Sequence, residues 1–437
     1  MGENNWKGEV MLIFLVLIFL LLILLSFPIS SILAFLSIFP GIVLSEFPTG
    51  AAYSIRGMIG GSDSFLLLAI PMFILSGVIM TKGKISEKLF NIFAYYLGRY
   101  KAGLPCAAII TCLFYSAISG SAPATTAAVG SMLIPLLVDL GYDKSLVTAL
   151  IATSGGLGVI IPPSIPFILY GNATDTGVAN MFKAGIIPGF LIAMVLILIT
   201  IIQLKFDKNT DDGQRIQFQI HLREEGFLKL LKEGIWALLA PVIVLGSIYS
   251  GFASPTESAV ISVFYALFVS GFVYKSVRVK DLKIIFLDTI RIYAPILFLL
   301  AAAIAFSRTL TILQVPQQVV SWVEMNLHSQ VLILLFIHLF LFIVGMVMDT
   351  GASILILGPI LMPVVESVGI NPVHFGIMMI INLAIGFVTP PVGVNLYVAS
   401  GISGLNIQII AKKTVPYVFG FMIALIILIC VPQLCLL

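Results

Sequence analysis

Ser116 and Ser119 stand three positions apart at the end of one apolar stretch, and Gly158 with Pro162-Pro163 interrupts another. On a helix that spacing puts both hydroxyls on one face, beside the terminal carbonyls. A Gly/Pro break at membrane depth strips carbonyls and amides of their helical partners, which is costly unless something else satisfies them. Hydroxyls and freed carbonyls together offer a neutral oxygen shell to a desolvated sodium ion, while helix N-termini favour anions. A second set repeats the chemistry: Gly345, Asp349, Thr350, Gly386, Thr389 and Pro390.

Asp349 is a carboxylate within membrane-length apolar sequence, a costly placement that marks function. Three roles stay open for it: cation ligand, proton carrier, or N-cap of the helix over 350–366. Asn382 and Asn395 are apolar-flanked amides that either bind substrate or bridge helices. Thr125, Thr126 and Ser131 are expected to satisfy local backbone. Arg291 and Arg308 are expected to anchor at an interface in preference to binding substrate.

The two sets belong to a repeat. Adding 228 takes Gly130 to Gly358, Pro135 to Pro363, Gly141 to Gly369, Gly158 to Gly386, and Pro162-Pro163 to Pro390-Pro391. Interrupted helices at matching places in two halves of a membrane protein point to the binding site of a secondary transporter.

Composition agrees. The chain has 437 residues, 60% hydrophobic and 10% charged, with mean hydropathy +1.14. Too little polar surface exists for a soluble domain of this size. The apolar run 10–25 lacks a small-residue cleavage site and reads as a retained span. Cys106, Cys112, Cys430 and Cys435 form no CxxC pair and read as small buried hydrophobes. His221, His328, His338 and His374 are scattered, so no metal-ligand cluster is expected. There is no Walker motif and no Ser-His-Asp order, so ATP is not expected to drive the chain directly. The net charge of +3 says nothing about nucleic acid, and no nucleic-acid partner is expected.

A crossing helix takes about 20 apolar residues. That length gives spans near 10–26, 28–45, 64–81, 186–204, 233–253, 256–275, 282–306 and 416–435, with 145–172 and 373–402 interrupted midway. Stretches 103–140 and 330–367 carry SGSAPATT and MDTGAS where a crossing helix has its centre. Each arm is then expected to be too short to cross, which predicts hairpins that enter and leave on one side. Cations in 82–101, 205–232 and 275–283 set those segments in the cytoplasm. Both termini then fall in the periplasm, and each half holds five spans plus one hairpin. Five being odd, the halves are inverted. The expected fold is an all-α polytopic membrane protein of two inverted-topology repeats, about ten spans plus two re-entrant hairpins.

At this point the motifs resemble a family. GSDSFLLLAIPMFILSGVIM (61–80), FYSAISGSAPATTAAVGSMLIP (114–135), LGVIIPPSIPFILYG (157–171), FKAGIIPGFL (182–191) and GFVTPPVGVNLYVASGI (386–402) are similar to the large membrane subunit of tripartite ATP-independent periplasmic (TRAP) transporters, the DctM family. The likeness covers nearly the whole chain. It implies a sodium-coupled importer of an organic acid, such as a C4-dicarboxylate, sialic acid or another sugar acid, in the bacterial inner membrane. The implied partners are a separate small four-helix membrane subunit and a periplasmic substrate-binding protein.

Residue by residue, the resemblance implies one sodium site at Ser116, Ser119, Gly158, Ile161 and Pro163. A second falls at Met348, Asp349, Thr350, Gly386, Thr389 and Pro391. The substrate carboxylate falls near Ser121, Ala122, Thr389 and Asn395. An elevator mechanism is implied, with scaffold segments in 1–101 and 186–329, transport-domain halves at 102–185 and 330–411, and a last span in 412–437. Three other classes compete with it. A stand-alone sodium/dicarboxylate symporter would dispense with the binding protein. An intramembrane hydrolase using Ser119 or Asp349 lacks a nearby base, and a channel or assembly scaffold would not couple uptake to sodium.

Overall fold

The computed structural model describes residues 2–43, 50–83, 85–206, 212–327 and 329–436, and all regular structure among them is helical. Lipid offers no hydrogen bonds, so each apolar stretch satisfies its backbone internally as helix. The first repeat comprises α1 (Gly2–Leu24), α2 (Ile29–Val43), α3 (Ala51–Ser62), α4 (Ala69–Lys82), α5 (Ile85–Leu97), α6 (Gly103–Ser119), α7 (Ala122–Asp139), α8 (Lys144–Ser154), α9 (Ile165–Thr174) and α10 (Val178–Phe206). After α11 (Asp212–Glu225) the second repeat follows as α12 (Phe227–Tyr249), α13 (Pro255–Phe268), α14 (Leu282–Ile312), α15 (Val315–Asn326), α16 (Gln330–Val347), α17 (Thr350–Ser367), α18 (Pro372–Gly386), α19 (Val394–Ser403) and α20 (Ile407–Cys430). The offset of 228 lays α7 onto α17 from first residue to last. Caps repeat as well: Asp143 accepts from Leu146 N at 2.7 Å and its counterpart Asn371 from Val373 N at 2.8 Å.

The repeats interlock through exchanged pairs. Helix α4 packs along α13, and its counterpart α14 packs along α2. Small hydroxyls join them: Ser76 donates to Ser262 O at 3.1 Å, and both Thr309 (3.0 Å) and Ser54 (3.1 Å) donate to Ser37 O. In the same way α9 packs on α17 while α19 packs on α7. The three basic segments meet on one face, through Lys82–Asp288 at 3.6 Å, Lys88–Glu233 at 3.0 Å and Gln219 donating to Tyr95 O at 3.0 Å. Lys84 and Lys208 lie outside the described residues.

Several expectations need correction. The two spans expected near 10–26 and 28–45 are α1 and α2, with the chain turned at Ser26, whose φ is +61°. Helix α3 is not among the elements expected from the sequence; it packs along α14, closest at Gly61, where a built Cβ would run into the Ile304 side chain. Helix α11 lies inside the charged 205–232 segment and is held to α5 by Gln219. The apolar run 256–275 is α13 completed by a π turn, Val269–Val273. Helix α14 reaches Ile312, so Arg308 is inside a long helix and the second arm starts only at Val315. The segment 186–204, grouped with the scaffold, packs as part of α10 along α20 and α6. Cys430 is exposed, unlike the other three cysteines. His328 lies outside the described residues.

The hairpin arms are longer than expected, at 17 residues for α6 and 18 for α7, α16 and α17. Their ends are fixed by depth. The tip between α6 and α7 is level with the break before α9, and the 10-residue α9 continues some 15 Å beyond it. The arms α7, α16 and α17 are each long and apolar enough to cross a membrane, so the expectation of arms too short to cross fails. What makes the hairpin is its tip meeting the break before α9.

Candidate functional site

Helix α6 ends at Ser119 because Gly120 turns left-handed, with φ +61°, and its N–H closes on Ser116 O at 3.0 Å. The chain then re-enters α7, and the tip presses into the break of the facing helix. Ile165 N donates to Gly120 O at 3.2 Å. Gly158 lies so close to the tip that a Cβ there would run into the Ser121 carbonyl. Ser164 caps α9 and donates to Val159 O at 2.6 Å. Thus Ser116, Ser119 and Ser121 are brought to the same junction as Gly158 and Pro163, and residues 158–163 are all buried.

The chemistry of that junction suits a small cation. Ile161 and Pro163 are buried, yet their carbonyls accept no hydrogen bond among the described residues. The Ser116 hydroxyl gives its hydrogen to Cys112 O at 2.6 Å, which leaves its lone pairs free to accept. Ser119 shares a 2.6 Å hydrogen bond with Thr125, the returning arm's hydroxyl. No carboxylate is involved, so the shell is neutral. It fits a monovalent ion better than a divalent one, which draws charged ligands.

The second half builds the same junction in a different register. Gly386 packs so tightly on α16 that a Cβ would run into the Gly345 carbonyl. Thr389 donates to Ile385 O at 2.7 Å, again leaving lone pairs outward. Val392 N donates to Met346 O at 3.1 Å. Val392 and Met346 are the counterparts of Ser164 and Ile118, so this bond is made two residues short of the tip, where the first half makes its own at the tip itself. Pro390, Pro391 and Asp349 are exposed, in contrast to the buried Pro162 and Pro163. Of the roles open to Asp349, the structure displays the cap: Oδ2 accepts from Gly351 N at 2.9 Å. Thr350 is buried and Met348 half-buried beside it.

Of the residues implied for the substrate, Ser121 and Thr389 are half-buried, whereas Ala122 and Asn395 are fully buried. Asn395 bridges helices, donating to Ala152 O at 2.9 Å, and its Oδ1 is buried without a partner. Asn382 also bridges, donating to His338 O at 2.7 Å. Thr126 departs from expectation: its hydroxyl is buried and unpartnered, laid over Gly155. Thr125, expected to serve local backbone, instead meets Ser119. Sequence spacing carries no signal for these cross-helix partners.

Two opposed hairpins pressed into two broken helices define a polytopic membrane protein of inverted-repeat build. Its fold is shared with the YdaH transporter of Alcanivorax borkumensis, at TM-score 0.62 and 16% identity, covering 89% of this chain and 90% of that one. Residues 15–434 match the family described as tripartite ATP-independent periplasmic transporter, DctM component, and the chain belongs to that family. The chain is 37% identical to the C4-dicarboxylate TRAP transporter large permease protein DctM of Pseudomonas aeruginosa, over 85% of each. It is 33% identical to the sialic acid TRAP transporter large permease protein SiaM of Vibrio cholerae, over 89% of this chain and 90% of the relative.

Proposed function

We propose that this large permease imports an organic acid together with sodium, by an elevator movement of the hairpin-bearing bundle against the α2–α4 and α12–α14 helices. The observation that carries the sodium reading is the pair of buried, unbonded carbonyls of Ile161 and Pro163 at the tip bearing Ser116 and Ser119. A second ion at Thr389, Gly386 and the Met348–Thr350 tip follows from the repeat. The acid's carboxylate would lie between the tips, near Ser121 and Thr389. Relatives named for C4-dicarboxylates and for sialic acid support an anionic acid as cargo. By the positive-inside rule we assign the basic face that joins Lys82, Lys88 and Gln219 to the cytoplasm, and both termini to the periplasm, of an inner-membrane protein.

A small membrane subunit and a periplasmic binding protein complete the system in this reading. A hydrolase is disfavoured because Ser119 pairs with a threonine hydroxyl and not with a base. Uptake of labelled acids by proteoliposomes holding all three components tests the proposal. Replacing sodium by choline should stop accumulation; unchanged uptake would show that another ion drives it. Omitting the binding protein should also stop it, and undiminished uptake would establish the stand-alone symporter instead.

A further inference from the structure

Arg308 is exposed one turn from the end of α14 and faces a cleft. Together with Ser307 and Ile304 of α14, Asn172 and Ala173 of α9, and Leu355 of α17, it lines a cavity of about 230 Å³. Helices α9 and α17 of the hairpin-bearing bundle form two walls, and α14 with Gly61 of α3 forms the other side. No acidic residue lines the cavity, and Arg308 is its only charged side chain. Neither the Arg308 guanidinium nor the Asn172 amide has a hydrogen-bond partner among the described residues. Arg291 on the same helix, by contrast, is paired with Asp288 at 3.4 Å. The Arg308 stem crosses α3 at Gly57, where a built Cβ would lie 3.6 Å from both Cδ and Nη1.

Position adds direction. Asp288 meets Lys82 on the basic face, and Arg308 lies 20 residues further along α14, about 30 Å away on the opposite side. Helix α17 starts beside α14: a Cβ built on Gly351 would lie 3.4 Å from Leu169 and 3.9 Å from Leu299. The helix then reaches the cavity at Leu355, six residues and roughly 9 Å from Asp349 at the hairpin tip. A guanidinium without a counter-ion, flanked by an amide and a hydroxyl, has the geometry to take a carboxylate through paired N–H bonds.

We infer that the Arg308 cleft is an anion vestibule, which holds a carboxylate of the transported acid on its way to the tip at Asp349. The inference rests on the transport reading for its ligand; the same chemistry would also accept a lipid phosphate. Two measurements separate these. First, phenylglyoxal modification of Arg308 is followed by peptide mass in phosphatidylcholine nanodiscs holding the permease with its small subunit. Succinate or N-acetylneuraminate should protect Arg308 at least several-fold, and their methyl esters should not. Equal modification with and without acid overturns the site. Protection by phosphatidylglycerol alone, with no added effect of acid, reassigns it to lipid and overturns the vestibule.

Second, uptake kinetics are compared for wild type, Arg308→Gln, Arg308→Lys and Asn172→Ala. Arg308→Gln should raise KM for the acid-loaded binding protein about tenfold with little change in maximal rate, and Arg308→Lys should recover part of it. A lowered maximal rate at unchanged KM would mean a merely structural role and defeats the inference. Should wild type transport none of the acids while Arg308 is still protected, the site stands and the proposed function falls.

Discussion

The side-chain amide of Asn395 donates to the carbonyl of Ala152 at 2.9 Å, joining the broken helix of the second repeat to that of the first. Both groups are fully buried, so no water replaces the bond when it is lost. The bond fixes how far α19 stands from the last turn of α8, and hence how the two breaks face one another.

Asn395→Ala should therefore cost about 1–3 kcal/mol, the penalty of leaving a buried acceptor unpaired, and lower the unfolding midpoint in detergent by several degrees. Asn395→Asp should be worse, because its carboxylate faces a carbonyl oxygen. A midpoint unchanged in both variants would show that the bridge carries no weight.

Gly158→Ala places a methyl group against the Ser121 carbonyl and should hold the hairpin tip out of the break. Overpacking of this kind costs about 1–3 kcal/mol. Uptake should fall at least tenfold, whereas Gly246→Ala, whose added methyl meets open space, should transport as wild type. Similar rates in the two variants would contradict the close approach.

Ser119→Ala removes one hydroxyl from the neutral oxygen shell and leaves Thr125 without its partner. The sodium concentration for half-maximal uptake should rise about tenfold, the loss of one good ligand bond. Ser119→Thr keeps the oxygen and should recover part of that. An unaltered sodium dependence in the alanine variant would remove Ser119 from the ion site.

Asp349 accepts from Gly351 N as a helix cap, a task that asparagine performs equally well. Asp349→Asn should thus retain most uptake, while Asp349→Ala, which lacks the acceptor, should lose about 1 kcal/mol of hairpin stability and much of the rate. If asparagine is as harmful as alanine, the charge and not the cap is what the permease needs.

The architecture could be read from the chain because Gly and Pro inside an apolar run favour a break in the helix over its continuation. Gly158 with Pro162-Pro163, and Gly386 with Pro390-Pro391, fall at the observed breaks. What escaped was set by neighbours distant in sequence. Helix α3 packs along α14 through Gly61, where a side chain would meet Ile304, and that neighbour is distant in sequence. Arg308 sits one turn from the end of α14, so only the packing of α9 and α17 reveals that it lines a cavity. The register difference between Ile165–Gly120 and Val392–Met346 is likewise invisible in two sequences that align without a gap.

That gapless agreement between α7 and α17 has an engineering consequence. Deleting one residue from either arm would shorten it by about 1.5 Å and swing every later side chain through some 100°. Nothing in the opposite arm would compensate. Length variation should therefore be refused by the arms.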